Sequence, residues 1–275
     1  MQTPRISASS YSNTAPLVWS FLYGKNHGKV EVILDTAPAR SAELLAQDRV
    51  DAALVPVIAY QMLDDVRLIP DVCVGARERV RSVCLVTKGG NLEDVKSVSL
   101  DISSRTSVAL TKIIFREFLG FEPEWRDSQP DIDSMLSNSD AALLIGDPAL
   151  RLSGSATLQN SDSAIRYFDL AEIWRKYTGF GFVFAMWMTR RPVMEIDFAA
   201  ARDEGLAHID SIIANYEGEI RLGADEMRTY LSQNISYAID DSMRHGLELY
   251  FELAAKHRLV DRAKEMRFLG EPHRT

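Results

Sequence analysis

At 275 residues, 46% of them hydrophobic and 25% charged, the chain can form one large domain or two modest ones around a proper core. A formal net charge of −8 argues against a nucleic-acid binder and obliges any acidic ligand to find local positive groups. Cys73 and Cys84 have no metal-ligand companions, and no window reaches the uninterrupted apolar length of a membrane span.

The opening residues MQTPRISASSYSNTAP lack a charged n-region followed by an apolar h-region, so a cytoplasmic protein is expected. Arg5 to Ala8 reads as a strand, followed by the polar turn Ser9-Ser10-Tyr11-Ser12-Asn13-Thr14 and an apolar helix near Pro16 to Tyr23. Val30 to Leu34 is a second strand. Pro38 to Gln47 is a helix with Pro38 in its first turn and Thr36 as a nearby cap. Ala52 to Val57 is a continuous apolar run, as expected for a strand buried on both faces. Val80 to Thr87 predicts a strand crossing into a second lobe, and Phe182 to Met188 a strand returning from it. The lobes are then residues 1–86 with 186–275, and residues 87–185. Phe198 to Arg267 is mostly amphipathic helix, with Tyr230, Leu231 and Asp241 to His257 on helices packed outside the first lobe. Short strands alternating with helices make the class α/β.

The turn after the strand at Val98 to Leu100 carries the most information. Ser103-Ser104-Arg105-Thr106-Ser107 places four hydroxyls and a guanidinium at the start of a helix running to Phe118. Free backbone N–H groups and the positive end of the helix dipole would converge there, as a carboxylate requires. The same residues also make an ordinary N-cap. An internal echo suggests two similar lobes. Asp51-Ala52-Ala53-Leu54 and Asp140-Ala141-Ala142-Leu143 each follow, at a similar remove, a strand that ends in a hydroxyl-rich turn. Two such lobes would face their turns into one cleft, because open α/β sheets bind ligands beyond the carboxyl ends of their strands.

Several chemistries find no support. The chain has no glycine-rich phosphate loop, no zinc spacing and no nucleophile elbow. Its five histidines lie outside both turns. The aromatic residues Trp174, Phe182, Phe184 and Trp187 can line a cleft or pack a core.

SYSNTAPL (10–17), DAALVPVIAY (51–60), VRSVCL (80–85), DISSRTSVALTKII (101–114) and DAALLIGDPAL (140–150) occur in a definite order. DLAEIWRKYTGFGFVFAMW (169–187) and YLSQNISYAID (230–240) follow them. With these motifs the chain resembles, over nearly its whole length, the chorismate dehydratase family of the futalosine route to menaquinone. The related dihydroxynaphthoate synthases carry an S-P-C-P-N-D turn where this chain has Ser9 to Thr14. Ala15 stands where the family often has a basic residue, and Gly181 where it often has proline.

The resemblance implies a two-lobed, periplasmic-binding-protein-like (type II) fold with an interdomain cleft. It implies a lyase that dehydrates the dicarboxylate chorismate to 3-[(1-carboxyvinyl)oxy]benzoate without metal or redox cofactor. By position, Asn13 and Ser82 correspond to the family's polar residues beside the reacting ring and are the expected catalytic pair, both placed in the first lobe. Ser12 and Thr14 join them, while Ser104, Thr106 and Ser107, helped by Arg105, would hold a carboxylate. Asp147 would meet the substrate or brace the Gly146-Pro148 turn. Arg81, in an extended strand, would point away from Ser82's face. The substrate's own enolpyruvyl carboxylate or a bound water would take the proton. A solute-binding protein or sensor for a small carboxylate shares the fold, and the missing leader argues against the transport receptor.

Overall fold

The computed structural model describes residues 3–153 and 165–271. Among them ten strands form two five-stranded sheets of equivalent design. The first is built on β1 (Arg5–Ser9), flanked in parallel by β2 (Glu31–Asp35) and β3 (Ala52–Pro56), with β4 (Arg67–Ala76) at its far edge. The second contains β5 (Val83–Thr87), β6 (Ser97–Asp101), β7 (Glu124–Ser128), β8 (Ala141–Ile145) and β9 (Arg166–Asp169), in the order β7-β6-β8-β5-β9. The first sheet takes its last strand, β10 (Phe182–Thr189), from much later in the chain, giving β2-β1-β3-β10-β4. Thus β10 and β5 hold the same antiparallel place in the two sheets.

The echoed Asp-Ala-Ala-Leu runs acquire a physical meaning. Ile6 pairs with Ala52 and Val98 with Ala141, so each run lies in the same parallel register beside the opening strand of its sheet. Asp51 Oδ2 accepts the amide of Arg5 at 2.7 Å, and Asp140 Oδ2 accepts the amide of Ser97 at 3.0 Å. Each carboxylate fastens the first residue of the neighbouring strand, which opposes slippage that would turn the buried face outward.

β5 pairs within the second sheet along its length, and β10 within the first. The expected lobe limits at 86/87 and 185/186 fall inside these strands; the chain passes between sheets through residues 77–82 and 170–181.

Helices cover the sheets: α1 (Ala15–Leu22), α2 (Pro38–Ala46) and the short α3 (Ala59–Met62) in the first part of the chain. α4 (Arg105–Ile113), α5 (Ile132–Asn138), α6 (Gly146–Ser153) and α7 (Leu170–Thr178) follow in the second. α2 opens on Pro38 as expected, but Ala37 rather than Thr36 occupies the cap position; Asp35 Oδ1 secures the Ala37 amide at 2.9 Å. α4 loosens into a π-helical turn, Ile114–Leu119. The chain ends with α8 (Phe198–Ala207), α9 (Ile209–Ile220), α10 (Ala224–Thr229) and α11 (Asp241–Lys256).

α11 is not confined to the outside of the first sheet. It packs against β10 and α4, the Tyr250 hydroxyl donates to the Thr106 carbonyl at 3.0 Å, and His257 Nε2 lies 2.7 Å from Glu117. The aromatic residues left open by sequence belong to the core. Trp174, Phe182 and Tyr250 meet edge to face, and Trp187 packs against Phe198 on the other side of β10. Gly181, at a position where the family it resembles often has proline, donates its amide to Ser242 Oγ at 3.1 Å, a bond proline could not make. Among the described residues no helix is long and apolar enough to cross a membrane.

Candidate functional site

Both polar turns lie at carboxyl ends of parallel strands and meet each other between the sheets. Beyond β1, Thr14 Oγ1 donates to the carbonyls of Ser9 and Tyr11 at 2.6 and 2.8 Å. These bonds brace the 3-10 turn Ser12–Thr14 that leads into α1. The proton of Thr14 is therefore spent on the turn, and Ser12 and Asn13 are the residues presented. Ser12 reaches across to Asp147 at the start of α6: its hydroxyl donates to Oδ1 at 2.6 Å and its amide lies 3.2 Å from both carboxylate oxygens. Asp147 thus bonds the turn that follows β1. Gly146 beside it has φ +62°, and a Cβ there would sit 2.8 Å from the Tyr11 ring. That close approach of the Tyr11 turn to the junction of β8 and α6 needs glycine.

The second turn is built by Asp101, which ends β6. Its Oδ1 accepts the amide and hydroxyl of Ser103 at 2.9 and 2.6 Å, while Oδ2 is buried without a hydrogen-bond partner. Ser104 is the N-cap of α4, accepting the Ser107 amide at 3.3 Å, so the ordinary capping role is present. Thr106 and Ser107 are buried behind it. Thr106 Oγ1 accepts the Ile58 amide at 3.3 Å, joining the start of α4 to the start of α3. Arg105 lies at the rim, its guanidinium 3.8 Å from Glu43 of α2.

Ser82 is set by the crossing segment. Asp169 Oδ2 accepts the amides of Val80 and Arg81 at 3.0 and 2.6 Å, and Oδ1 caps α7 through Ala171 at 2.9 Å. Arg81 is not extended: its φ is +63°, and the Ser82 amide donates to the Val80 carbonyl at 2.7 Å. This three-residue turn is a strained one for a residue with a side chain. The Arg81 guanidinium pairs with Glu226 of α10. The Ser82 carbonyl accepts the Gly146 amide at 2.7 Å, and Ser82 directly precedes β5. Asn13 and Ser82 therefore approach from different sheets, not from one lobe as expected.

Their common neighbour is Tyr230, which opens the π-helical turn Tyr230–Asn234 after α10. It is 0% exposed. Ser82, Asp147, Asn13 and Arg81 are the polar groups that influence its phenol, and the buried hydroxyl has no hydrogen-bond partner. Sequence periodicity places Tyr230 on an outer helix and gives no hint of this. Tyr11 and Asp169 escape sequence reasoning for a similar reason, because Tyr11 meets Gly146 and Asp169 grips the amides of Val80 and Arg81, all in other elements.

The electrostatics are those of buried acids. Burial raises the Asp147 carboxyl above its ordinary range despite the Ser12 donors, and raises Asp101 despite Ser103. Burial pushes Asp169 up to about 6 against its amide donors. The Tyr11 and Tyr230 phenols are raised by the same cause. Arg151 of α6 is a nearby positive influence on both Asp147 and Tyr11. Among the described residues no three His, Cys, Asp or Glu side chains gather as metal ligands. A surface cavity of about 520 Å³ is lined by Arg5, Asp51 and Arg191. It lies at the amino ends of β1 and β3, opposite the turns.

The arrangement gathers buried hydroxyl, amide and phenol groups where Ser12–Asp147 and Ile58–Thr106 join the two halves of the molecule. It can orient an oxygen-rich ligand and hydrogen-bond a departing oxygen, and its one unpartnered carboxylate oxygen among the described residues is Asp101 Oδ2.

The model of a family described as menaquinone biosynthesis matches residues 4–256. A curated relative from Thermus thermophilus, named chorismate dehydratase, is 31% identical over 259 residues, 88% of this chain and 92% of its own. A protein of Archaeoglobus fulgidus superposes with a TM-score of 0.70 at 17% identity, covering 94% of this chain and 98% of that one. The periplasmic aliphatic sulphonate binding protein of Escherichia coli gives 0.63 at 17% identity, covering 99% and 95%. A Candida albicans protein with the generic periplasmic binding protein fold gives 0.62 at 12% identity, covering 100% and 99%. At these identities the solved structures speak for the fold alone, which is periplasmic-binding-protein-like, as the resemblance implied.

Proposed function

The chain belongs to the menaquinone biosynthesis family, and from that premise we propose that it is a chorismate dehydratase, a carbon–oxygen hydro-lyase forming 3-[(1-carboxyvinyl)oxy]benzoate. The observation that carries the reading is the 31% identity to the Thermus thermophilus chorismate dehydratase across 88% of the chain. The two sheets are taken as the cores of two lobes, with the substrate between their turns and the reaction in the cytoplasm.

Losing water makes the ring aromatic, so product stability drives the reaction. The C–H bond at the ether-bearing ring carbon breaks, and its electron pair becomes the new ring π bond. The neighbouring C–O bond breaks, and hydroxide combines with the released proton as water. What the protein adds is orientation and preorganised hydrogen bonds. In this reading Asn13 and Ser82 bond the leaving oxygen or the developing enolate. Ser104, Thr106 and Ser107 at the positive end of α4 hold a carboxylate, with Arg105 assisting from the rim. Ser12 and Asp147 close the cleft, and Thr14 shapes the turn. The proton passes to the substrate's own carboxylate or to water.

Purified protein incubated with chorismate alone, after chelation, should yield the aromatic enol ether with one water lost, seen by ultraviolet absorbance and proton NMR. Chorismate bound but unchanged would point to a receptor or sensor for small carboxylates and end the lyase reading.

A further inference from the structure

Tyr230 has no structural employment for its hydroxyl. The side chain is 0% exposed, its oxygen is without a hydrogen-bond partner, and the polar side chains bearing on it are Ser82 and Asn13, with the charges of Asp147 and Arg81 further influences. Buried polar groups in native proteins are nearly always paired, because an unpaired one forfeits its hydration with nothing in return. An orphan phenol influenced by the two residues assigned to the leaving oxygen therefore calls for a ligand atom. It sits at the first residue of a π-helical turn, a distortion that recurs at functional sites because it redirects a side chain.

We propose that Tyr230 touches the substrate and donates a hydrogen bond to the ring hydroxyl oxygen that departs, as a third member of the Asn13–Ser82 group. The proposal rests on the dehydratase reading. As the C–O bond breaks, charge grows on that oxygen, and a donor already in place strengthens without reorganising. The phenol keeps its proton throughout: burial raises it above the ordinary tyrosine range, with Ser82 and Asn13 only partly opposing. Tyr230 is thus a donor and not a base; the proton that completes the water comes from the ring carbon.

Tyr237 supplies the control. Its hydroxyl is likewise buried and unpartnered, but its electrostatic neighbour is Tyr230, not Asn13 or Ser82. The test compares wild type, Tyr230→Phe and Tyr237→Phe for turnover of chorismate and for melting without ligand. Tyr230→Phe should lower kcat about 10- to 100-fold, with KM within about threefold. It should melt no lower than wild type, since removing an unsatisfied hydroxyl costs the free protein nothing. Tyr237→Phe should keep kcat within about twofold. A Tyr230→Phe enzyme with wild-type kcat overturns the proposal. So does a parallel loss of kcat and melting temperature, which would assign the hydroxyl to the fold. If wild type itself does not dehydrate chorismate, the dehydratase reading fails instead, before either variant is measured.

Discussion

Ser12 donates its hydroxyl to Asp147 at 2.6 Å and its amide to the same carboxylate at 3.2 Å, joining the turn after β1 to the helix after β8. Both residues are buried, so the contact holds the two sheets together where a ligand would have to enter. A buried hydrogen bond to a charged acceptor contributes about 1.5–3 kcal/mol, and an unsupported carboxylate there is costly. Ser12→Ala should therefore lower unfolding stability by about 1–3 kcal/mol. It should also enlarge the radius of gyration of the unliganded protein in X-ray scattering. Unchanged scattering with lowered stability would mean that the bond supports its turns without governing closure.

Asn13 follows β1 of one sheet and Thr106 follows β6 of the other, and in the proposed reading they should divide the work. Asn13→Ala should lower kcat by about 100-fold and change KM little, as when one preorganised donor is removed from a reacting oxygen. Thr106→Ala should raise KM by about tenfold at nearly constant kcat, since a carboxylate at a helix N-terminus is held equally in ground and transition states. Steady-state kinetics on both variants decide the matter; the reverse pattern would exchange the roles of the two residues.

The parts of this molecule legible in its sequence are those written locally. The apolar run of β3, the proline at the start of α2 and the paired Asp-Ala-Ala-Leu runs depend on residues near one another in the chain, and the structure bears each of them out. The hydroxyl-rich turns are legible as polar strand-to-helix connections. Which hydroxyl serves the backbone and which faces the other sheet is not. Thr14 and Ser104 turn inward to their own backbone, whereas Ser12 finds Asp147 across the cleft. The apolar neighbours of Arg81 suggest a strand, yet its positive φ follows from Asp169, far along the chain, gripping two successive amides. Helical spacing alone describes Tyr230 as an outer-helix residue, because it cannot reveal a π turn.

Asp169 should leave a pH signature. It is 2% exposed, and burial outweighs its amide donors to set its folded pKa at about 6, against an ordinary value of 3.8. A carboxyl raised on folding binds its proton more tightly in the native state. Its contribution to stability is then full below about pH 4 and is lost as pH rises through about 6. Each tenfold difference in proton affinity between the folded and unfolded chain is worth about 1.4 kcal/mol, so the loss is on the order of 3 kcal/mol. Denaturant unfolding of wild type and Asp169→Asn at several pH values isolates this contribution. The stability difference, wild type minus variant, should fall between about pH 4 and pH 6 and be flat above about pH 7. A difference that rises over that interval would show that the amides of Val80, Arg81 and Ala171 dominate and hold the carboxylate ionised.

Gly205 of α8 tests whether the frame beneath Asn13 is as tight as it looks. A Cβ at this position would lie 1.9 Å from the Pro16 carbonyl oxygen and 2.7 Å from its carbon, both backbone atoms that cannot rotate away. Gly205→Ala must push α8 off α1, and overpacking of this kind costs about 1–3 kcal/mol, more than the roughly 1 kcal/mol that alanine gains in helix propensity. Because α1 begins directly after the turn carrying Asn13, the displacement should also reach the site and lower kcat. Gly218 of α9 is the matched comparison, since an added Cβ there meets nothing within 4 Å. Gly218→Ala should melt at or above the wild-type temperature with unchanged kcat. Gly205→Ala should melt several degrees lower and turn over more slowly. Equal melting of the two variants would show that α1 and α8 can part freely and that the turn does not depend on their contact.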